Sequence, residues 1–556
     1  MSETTGVLRS EVRPGAYADS VVLMQLQAGL AGLDGVIDAA AVMATPTNLE
    51  LLDASGMRPE ETGSGPDDLL LVVRAEDDDA ATAALARVDE LLSRRRETVD
   101  DAYRPKSLDA AVRLLPAARW VLISVPGRYA AEVTRQAIER ERHVFLYSDN
   151  VPLADEVQLK QLAAERGLLV LGPDCGTAIV GGAGLGFANR VRPGSIGLLG
   201  ASGTGIQSIS SRVHALGAGL THAIGTGGRD LSAEVGAATA LAGLDLLRRD
   251  PATRVIVLVS KPPASEVAAR LLGAARAAGK PVVVCFLGWA PPARRLGPLR
   301  FASGLDDAAA LAVAALDEPE PPAAEPPLAG RLRGLFAGGT LAQEVVQGLS
   351  PFLTPLHANL HAPGVAPLAD PGRSRDHTVI DLGADEYTQG RLHPMLDPTL
   401  RIERLRQEAA DPETGLILLD LVLGDGAHPD PAAELAAAVA ETARPGLELA
   451  ALVVGTEEDP QDADAQADTL RQAGVAVFDT VTATLEHVLA RLSAPPDSLS
   501  RPIDAAALEG PLAAINIGLE SFHDSLAESG VEVVQVEWRP PAGGNNRLRA
   551  ILDKLR

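Results

Sequence analysis

Cysteine is almost missing from this chain. Cys175 and Cys285 are the only two in 556 residues, too few for a disulfide framework or a cysteine-rich metal centre, and this scarcity fits a reducing compartment. Aromatic residues are equally scarce at 3%, while alanine and glycine abound, a composition suited to close helix-on-sheet packing rather than to a β-sandwich. Basic residues are outnumbered, 49 against 74 acidic, for a formal charge of −25, so no nucleic-acid or anionic-membrane partner is expected. An anionic substrate would need a local positive pocket. No apolar run reaches about 18 residues, and the first residues lack a basic stretch followed by an apolar core. A cytoplasmic protein without a membrane segment is therefore expected.

What is present is a long α/β pattern. A chain of 556 residues exceeds what one core supports, so about three or four domains are expected. Strands alternating with helices predict several doubly wound parallel-sheet domains. The boundaries fall at 1–105 for an N-terminal α/β segment, then 106–192 and 193–317 for two doubly wound units. A Pro-rich acidic linker occupies 318–328, a third unit 329–500, and a tail 501–556. Tyr17 to Ser20 suits a helix cap, and Arg94 to Arg96 a solvated face or hinge. In the tail, Ile515 to Leu519 and Val531 to Val536 have strand character. The tail is expected to be an interaction element that can be removed without unfolding the core.

The chain is organised around Ser195 to Val213. An apolar strand, Ser195 to Leu199, enters a turn with Gly200, Gly203 and Gly205, and a helical repeat begins by Ile206. Such a turn leaves first-turn N–H groups free with the positive end of the helix dipole behind them, which makes an anion site. Ser202 and Thr204 add hydroxyl donors, and Gly203 and Gly205 let a phosphate approach the backbone. A second glycine turn, Gly225 to Asp230, brings Gly227, Gly228 and Arg229 to the end of the next strand, and Lys261 follows the one after. Gly273 to Lys280 only imitates a phosphate loop, since its glycines are one position too far apart and Pro281 replaces the hydroxyl residue. In the third unit, Gly424 and Gly426 lie in a turn ending at His428, and Arg391, His393 and Asp397 share a loop. No third metal ligand accompanies them, so anion recognition by Arg391 or a capping role for Asp397 is expected and metal is not. Cys175 has no sequence-local partner and suits a small buried turn residue.

Four stretches resemble, in order and spacing, the α subunit of succinyl-CoA synthetase. They are Gly172 to Gly176, Ser202 to Thr204, Gly225 to Gly228 and Gly288 to Gly297. The third unit is similar to the C-terminal ligase domain of that enzyme's β subunit. Closer still is the FdrA family, which Ser202 to Gln207, Gly227 to Leu231, Ser260 to Pro263, Arg391 to Leu400 and Trp538 to Asn545 all resemble. The resemblance implies a CoA-binding-like Rossmann domain at 106–192, a flavodoxin-like ligase domain at 193–317 and a β-type ligase domain at 329–500. It also makes Ser124, Val125, Pro126, Asn150 and Pro173 the remnant of a CoA site.

The departures from the synthetase pattern are chemical. Gly297-Pro298 stands where a Gly-His pair would carry the phosphoryl group, and proline offers no nucleophile. Lys261 replaces the glutamate that would face that histidine, which suits a bound carboxylate or phosphate. The N-terminal region lacks the CoA-gripping glycine turn and there is no nucleotide-grasp domain, so the departures count against CoA and ATP. Inorganic phosphate is the expected co-substrate. Ser202, Gly203, Thr204 and Gly205 would bind it together with Gly424 and Gly426, across two facing helix N-termini. The FdrA resemblance implies partner subunits encoded alongside this chain and carbamoyl transfer in purine-nitrogen catabolism, namely oxalurate plus phosphate giving oxamate and carbamoyl phosphate. Gly227, Gly228, Arg229, Lys261 and Arg391 would hold the small anionic ureido or carboxylate substrate. Lys261, His393 and His428 would be the catalytic groups, the histidines moving a proton. An acyl-CoA ligase and a non-catalytic scaffold are the alternatives.

Overall fold

The computed structural model describes residues 6–14, 16, 20–59, 63–65, 68–93, 103–291, 293–319, 328–370, 372–492, 501–508 and 510–540. The expected cap at Tyr17 to Asp19, the Arg94 to Arg96 cluster, linker residues 320–327 and tail residues 541–545 lie outside the described residues. The fold is mixed α/β with several parallel sheets, arranged in two compact units. One comprises Met1–Val151 with Leu512–Arg556, and the other Pro152–Pro511. No helix among the described residues is long and apolar enough to cross a membrane.

The first unit opens with an antiparallel sheet, which the expectation of parallel sheets missed. Its central strand, Leu69–Ala75, pairs on one side with Val7–Arg13 and on the other with Val36–Met43. Strand alternation sends Leu69, Leu71 and Val73 against Leu23, Leu26 and Leu30 of the Ser20–Ala31 helix, while Leu70 and Val72 meet Leu52 and Met57 on the other face. The edge strand Val7–Arg13 has few apolar residues, so periodicity gave little sign of it.

The same unit holds a parallel sheet into which a strand from the tail inserts. Ala513–Ile517 lies between Trp120–Ile123 and Glu532–Val536, and His143–Leu146 pairs on the far side of Trp120–Ile123. Ile515 and Ile517 are fully buried there, and Trp538 meets Tyr129 edge-on at 5.5 Å between ring centroids. The tail is thus a core element of the 106–151 region, which corrects the expectation that it can be removed.

The second unit carries two further sheets. In the first, parallel strands run in the order Val282–Phe286, Val255–Ser260, Pro193–Gly200, Leu220–Gly225, flanked by short antiparallel hairpins. Val255–Ser260, VIVLVS, is buried along its whole length, as a strand covered on both faces by helices must be. The chain leaves Pro193–Gly200 to one side for Leu220–Gly225 and returns to the other side for Val255–Ser260, which places a topological switch point between Pro193–Gly200 and Val255–Ser260. In the second sheet, Arg331–Phe336 lies between His377–Asp381 and Thr414–Val422, both parallel to it, with Glu448–Val454 beyond. Its switch point falls between Arg331–Phe336 and Thr414–Val422.

Candidate functional site

Open parallel sheets bind ligands beyond the carboxyl ends of their strands at the switch point, and the Ser202 turn sits at one such point. The Gly203–Ala215 helix follows Pro193–Gly200 directly, and Ser202 is its N-cap, with Oγ accepting a hydrogen bond from the Gly205 N–H at 3.2 Å. Ser202 is therefore a capping residue as well as a mouth residue, and one of the free N–H groups is already satisfied. Gly203 is open, for an added Cβ would meet nothing nearer than Thr177 Oγ1 at 3.4 Å. Lys261 emerges from the neighbouring strand. Val259 pairs with Gly200, and the Ala201 N–H donates to the Val259 carbonyl at 3.1 Å, so the ammonium stem and the turn leave the sheet side by side. Lys261 is exposed and has no hydrogen-bond or ion-pair partner among the described residues.

The second glycine turn does something else. A Cβ on Gly227 would fall 2.4 Å from the Pro173 carbonyl oxygen, and Gly227 has a φ of 84°, so this turn packs backbone to backbone on Gly172-Pro173. Arg229 donates from Nε to Glu156 Oε2 at 2.9 Å. Glu156 and Asp230 flank the buried Lys160 ammonium at 3.0 and 2.7 Å, and Asp230 also accepts from the Thr239 and Ala240 N–H groups. Of the three residues expected to contact substrate, Arg229 is thus engaged by a charge network and Gly227 by backbone packing, while Gly228 is exposed. The network is missed from sequence because Glu156 and Lys160 look like an ordinary (i, i+4) helix pair. Cys175 packs beneath, its thiol pushed up to about 12 by burial, which fits the inert reading.

The expected CoA remnant is likewise put to structural use. Ser124 Oγ accepts from the Leu519 N–H, and Pro126 caps the Gly127–Glu139 helix, whose Gly127 abuts the Asp149 and Asn150 backbone with Val125 buried beside it. Pro173 belongs to the other unit, under Gly227.

In the ligase-type sheet the loops gather more tightly. The Gly424 to Ala427 segment is a turn and not a helix N-terminus. The helix begins at Pro431, capped by Asp430, whose Oδ1 accepts from Ala433 N–H. This removes the expected pair of facing helix ends, since Gly424 and Gly426 have φ of 131° and 82°, outside the helical region. The Gly424 N–H and carbonyl are both held by Gln461. The His428 N–H donates to the Met395 carbonyl at 2.8 Å, which docks the Arg391 to Asp397 loop on this turn. His428 itself is spent locally, with Nε2 3.3 Å from Glu434 and Nδ1 accepting from the Asp430 N–H. His393 is not. Its Nδ1 accepts from the Met395 N–H at 3.3 Å, and Nε2 lies beside Gly383. Arg391 is exposed, and no partner for its guanidinium is found among the described residues.

Two carboxylates that sequence did not single out complete this crevice. Asp420 is fully buried. It pairs with Arg401 at 2.9 Å and accepts from the Ala337 and Gly338 N–H groups, both at 2.7 Å. Asp381 ends its strand beside His393, and burial raises its carboxyl above the ordinary range, with Asp420 adding to the rise and His393 opposing it. The signal was an Asp at a strand's carboxyl end, which is too common to stand out. The loop 359–365 runs between Asp381 and the start of the Ser265–Arg276 helix. Asn359 brackets the Asp381 backbone, and a Cβ on Gly364 would lie 3.9 Å from Ser265 Oγ, at the start of the helix after Lys261.

Three family models match parts of the chain. "CoA-ligase" matches residues 335–490, "CoA binding domain" 191–288, and "AllF, heavy metal-associated domain" 4–106. The CoA-binding match thus falls on the domain of the Ser202 turn and not on 106–192. Residues 4–106 contain neither cysteine nor histidine, so no thiolate or imidazole donor is available there. YahF of Escherichia coli (strain K12) is 39% identical over 495 residues, covering 85% of this chain and 96% of the relative. Among solved structures, PH0766 from Pyrococcus horikoshii OT3 is 14% identical, covering 67% of this chain and 83% of that one, with a TM-score of 0.28. The dinucleotide-forming acetyl-coenzyme A synthetase 1 of Ca. Korarchaeum cryptofilum, in complex with phosphate and ADP, is 14% identical over 74% and 84%, with a TM-score of 0.27. ATP citrate lyase from Methanothrix soehngenii is 17% identical over 39% and 43%, with a TM-score of 0.31.

Proposed function

The chain belongs to the same family as Escherichia coli YahF, and from that premise we propose that it is a phosphate-dependent carbamoyltransferase subunit on a CoA-ligase-type scaffold. One observation carries the reading. The Ser202 to Gly205 turn is open at Gly203 and lies at the switch point beside Lys261, which has no partner among the described residues, while Pro298 stands at the position that would carry the relay, its carbonyl accepting from the Val282 N–H and the Arg300 guanidinium. A scaffold that keeps its anion site and lacks a covalent nucleophile suits direct attack by bound phosphate.

In this reading the first-turn N–H groups at Gly203 and Thr204 hold inorganic phosphate, and Lys261 neutralises the carboxylate of a ureido acid such as oxalurate. A phosphate oxygen attacks the carbamoyl carbon. The bond from that carbon to the oxamyl nitrogen breaks, and the proton carried by phosphate passes to the departing nitrogen, giving carbamoyl phosphate and oxamate. His393, whose Nε2 has no hydrogen-bond partner among the described residues, is better suited than His428 to relay that proton. Partner subunits complete the enzyme. The test is phosphate-dependent release of carbamoyl phosphate from oxalurate by the chain with co-expressed partners. The CoA-binding and CoA-ligase matches favour a second reading, acid–thiol ligation, which the same assay separates by a requirement for CoA and nucleotide.

A further inference from the structure

The strand Val7–Arg13 is an open sheet edge. It pairs on one side with Leu69–Ala75 in an unbroken register, and among the described residues no strand lies on its other side. No backbone group from Val7 to Val12 is hydrogen-bonded outside that ladder among the described residues, so alternate residues hold an N–H and a C=O out to solvent. Val7, Arg9 and Ser10 are exposed and the rest of the strand is half-buried. Sheet edges are ordinarily blunted by a proline, a bulge or a covering element, and VLRSEVR carries neither of the first two.

The strand is complementary to itself. Arg9, Glu11 and Arg13 share the face of Val73, Leu71 and Leu69, while Ser10 and Val12 share the face of Val72 and Leu70. On that second face Leu8 and Val12 are only partly buried, at the margin of the small core of Leu52, Met57, Leu70 and Val72. An antiparallel copy of the strand that keeps both faces in line has three registers that overlap most of its length. Centred on Arg9 or on Glu11, the pairing sets like charges opposite each other. Centred on Ser10, it sets Arg9 opposite Glu11 of the second copy, twice, and Leu8 opposite Val12, twice. Like charges directly opposite destabilise a sheet, whereas unlike charges and apolar pairs stabilise it, so the pattern selects the register centred on Ser10. Glu11 is available for this pair, because Arg13 holds only its Oε1 and has Asp89 as a second partner. Exposed ion pairs are worth little, so the charges choose the register while backbone bonds and apolar pairs hold it.

We infer that the chain pairs with a second copy of itself through this edge, joining two three-stranded sheets into one of six strands about a two-fold axis at Ser10. The interface is independent of the carbamoyltransferase reading.

The test is the mass of the full chain in solution, with charge variants at the edge. Wild type should sediment as a dimer at micromolar concentration. Glu11→Arg sets Arg9 opposite another arginine, and Arg9→Glu sets Glu11 opposite another glutamate. Each variant alone should dimerise about tenfold more weakly with an unchanged melting curve, since two cross-strand pairs change sign. Mixing the two variants restores unlike charges at both positions and should restore the dimer. Ser10→Cys should cross-link to itself through a short bismaleimide, because opposed residues of paired strands lie about 4.5–5.5 Å apart at Cα. Cys175 and Cys285 are buried and do not compete, and Met24→Cys, exposed on the Ser20–Ala31 helix, should stay uncross-linked. A monomeric wild type overturns the inference, as does a dimer that neither charge variant weakens or that Ser10→Cys does not cross-link. It is equally overturned if hydrogen exchange finds the outer edge of Val7–Arg13 protected in a monomer, where the chain itself covers it, or protected only with co-expressed partners, where a different subunit does.

Discussion

Ser124 Oγ accepts a 2.8 Å hydrogen bond from the Leu519 N–H, a residue 395 positions further along the chain. The bond is close to a second one, from the Ser124 N–H to the Ile517 carbonyl at 2.9 Å, and a Cβ on Gly518 would meet Ser124 Oγ at 2.4 Å. The chain's last strands therefore close the sheet that its second hundred residues begin.

Truncation after Glu509 should for that reason unfold the 106–151 region. Losing Ala513–Ile517 exposes an edge of Trp120–Ile123 and orphans the backbone groups of that ladder. Hydrogen exchange should show protection lost at Trp120 to Ile123 and kept at Val255 to Ser260. Protection retained at Trp120 to Ile123 would contradict the pairing.

His377 should make the protein acid-sensitive. The ring is buried, its Nδ1 accepts from the Leu332 N–H at 3.1 Å, and burial, with Arg331 and Arg333 adding to it, lowers its pKa from 6.5 to about 4. Between those values the unfolded chain binds the proton and the folded chain does not, so stability falls as pH drops from 6.5 toward 4 and is flat above. The contribution is up to about 3 kcal/mol. His222, whose Nδ1 accepts from the Gly181 N–H, shifts in the same direction. Urea unfolding across this range should give a shallower pH slope for His377→Asn than for wild type, and equal slopes would refute the assignment.

Substitutions at the Ser202 turn should rank in a fixed order. Gly203→Val has room to fold, yet puts a branched side chain over the first helical turn, and should cost about a hundredfold in phosphate-dependent rate. Ser202→Ala loses a cap worth about 1 kcal/mol of stability and should affect rate less. Lys261→Ala should raise KM for the organic anion and leave the KM for phosphate unchanged. A folded, fully active Gly203→Val would move the site elsewhere.

The parallel sheets were legible because strands such as VIVLVS at 255–260 are continuous apolar runs that helices must cover on both faces. The Ser202 turn was legible because strand, glycines and helix are contiguous. What escaped was set by long-range contact. Arg229 is spent on Glu156, 73 positions away, and Ser124 on Leu519, and neither partner leaves a local trace. Gly424 to Ala427 has the composition of a helix entrance, but Gln461 pins its backbone in a turn and the helix starts later at Pro431. Asp381 stands beside His393 only once the strand His377–Asp381 and the Arg391 to Asp397 loop meet at Gly383.

The central claim is transfer to free phosphate without a phosphoenzyme, and one labelling experiment addresses it directly. The chain with its co-expressed partners is incubated with oxalurate and 32P-labelled inorganic phosphate, without ATP or CoA, and label is followed into small molecules and protein. The account predicts labelled carbamoyl phosphate, equimolar oxamate and no label on any of the ten histidines. Label on a histidine, or product that forms only when ATP and CoA are supplied, would contradict it.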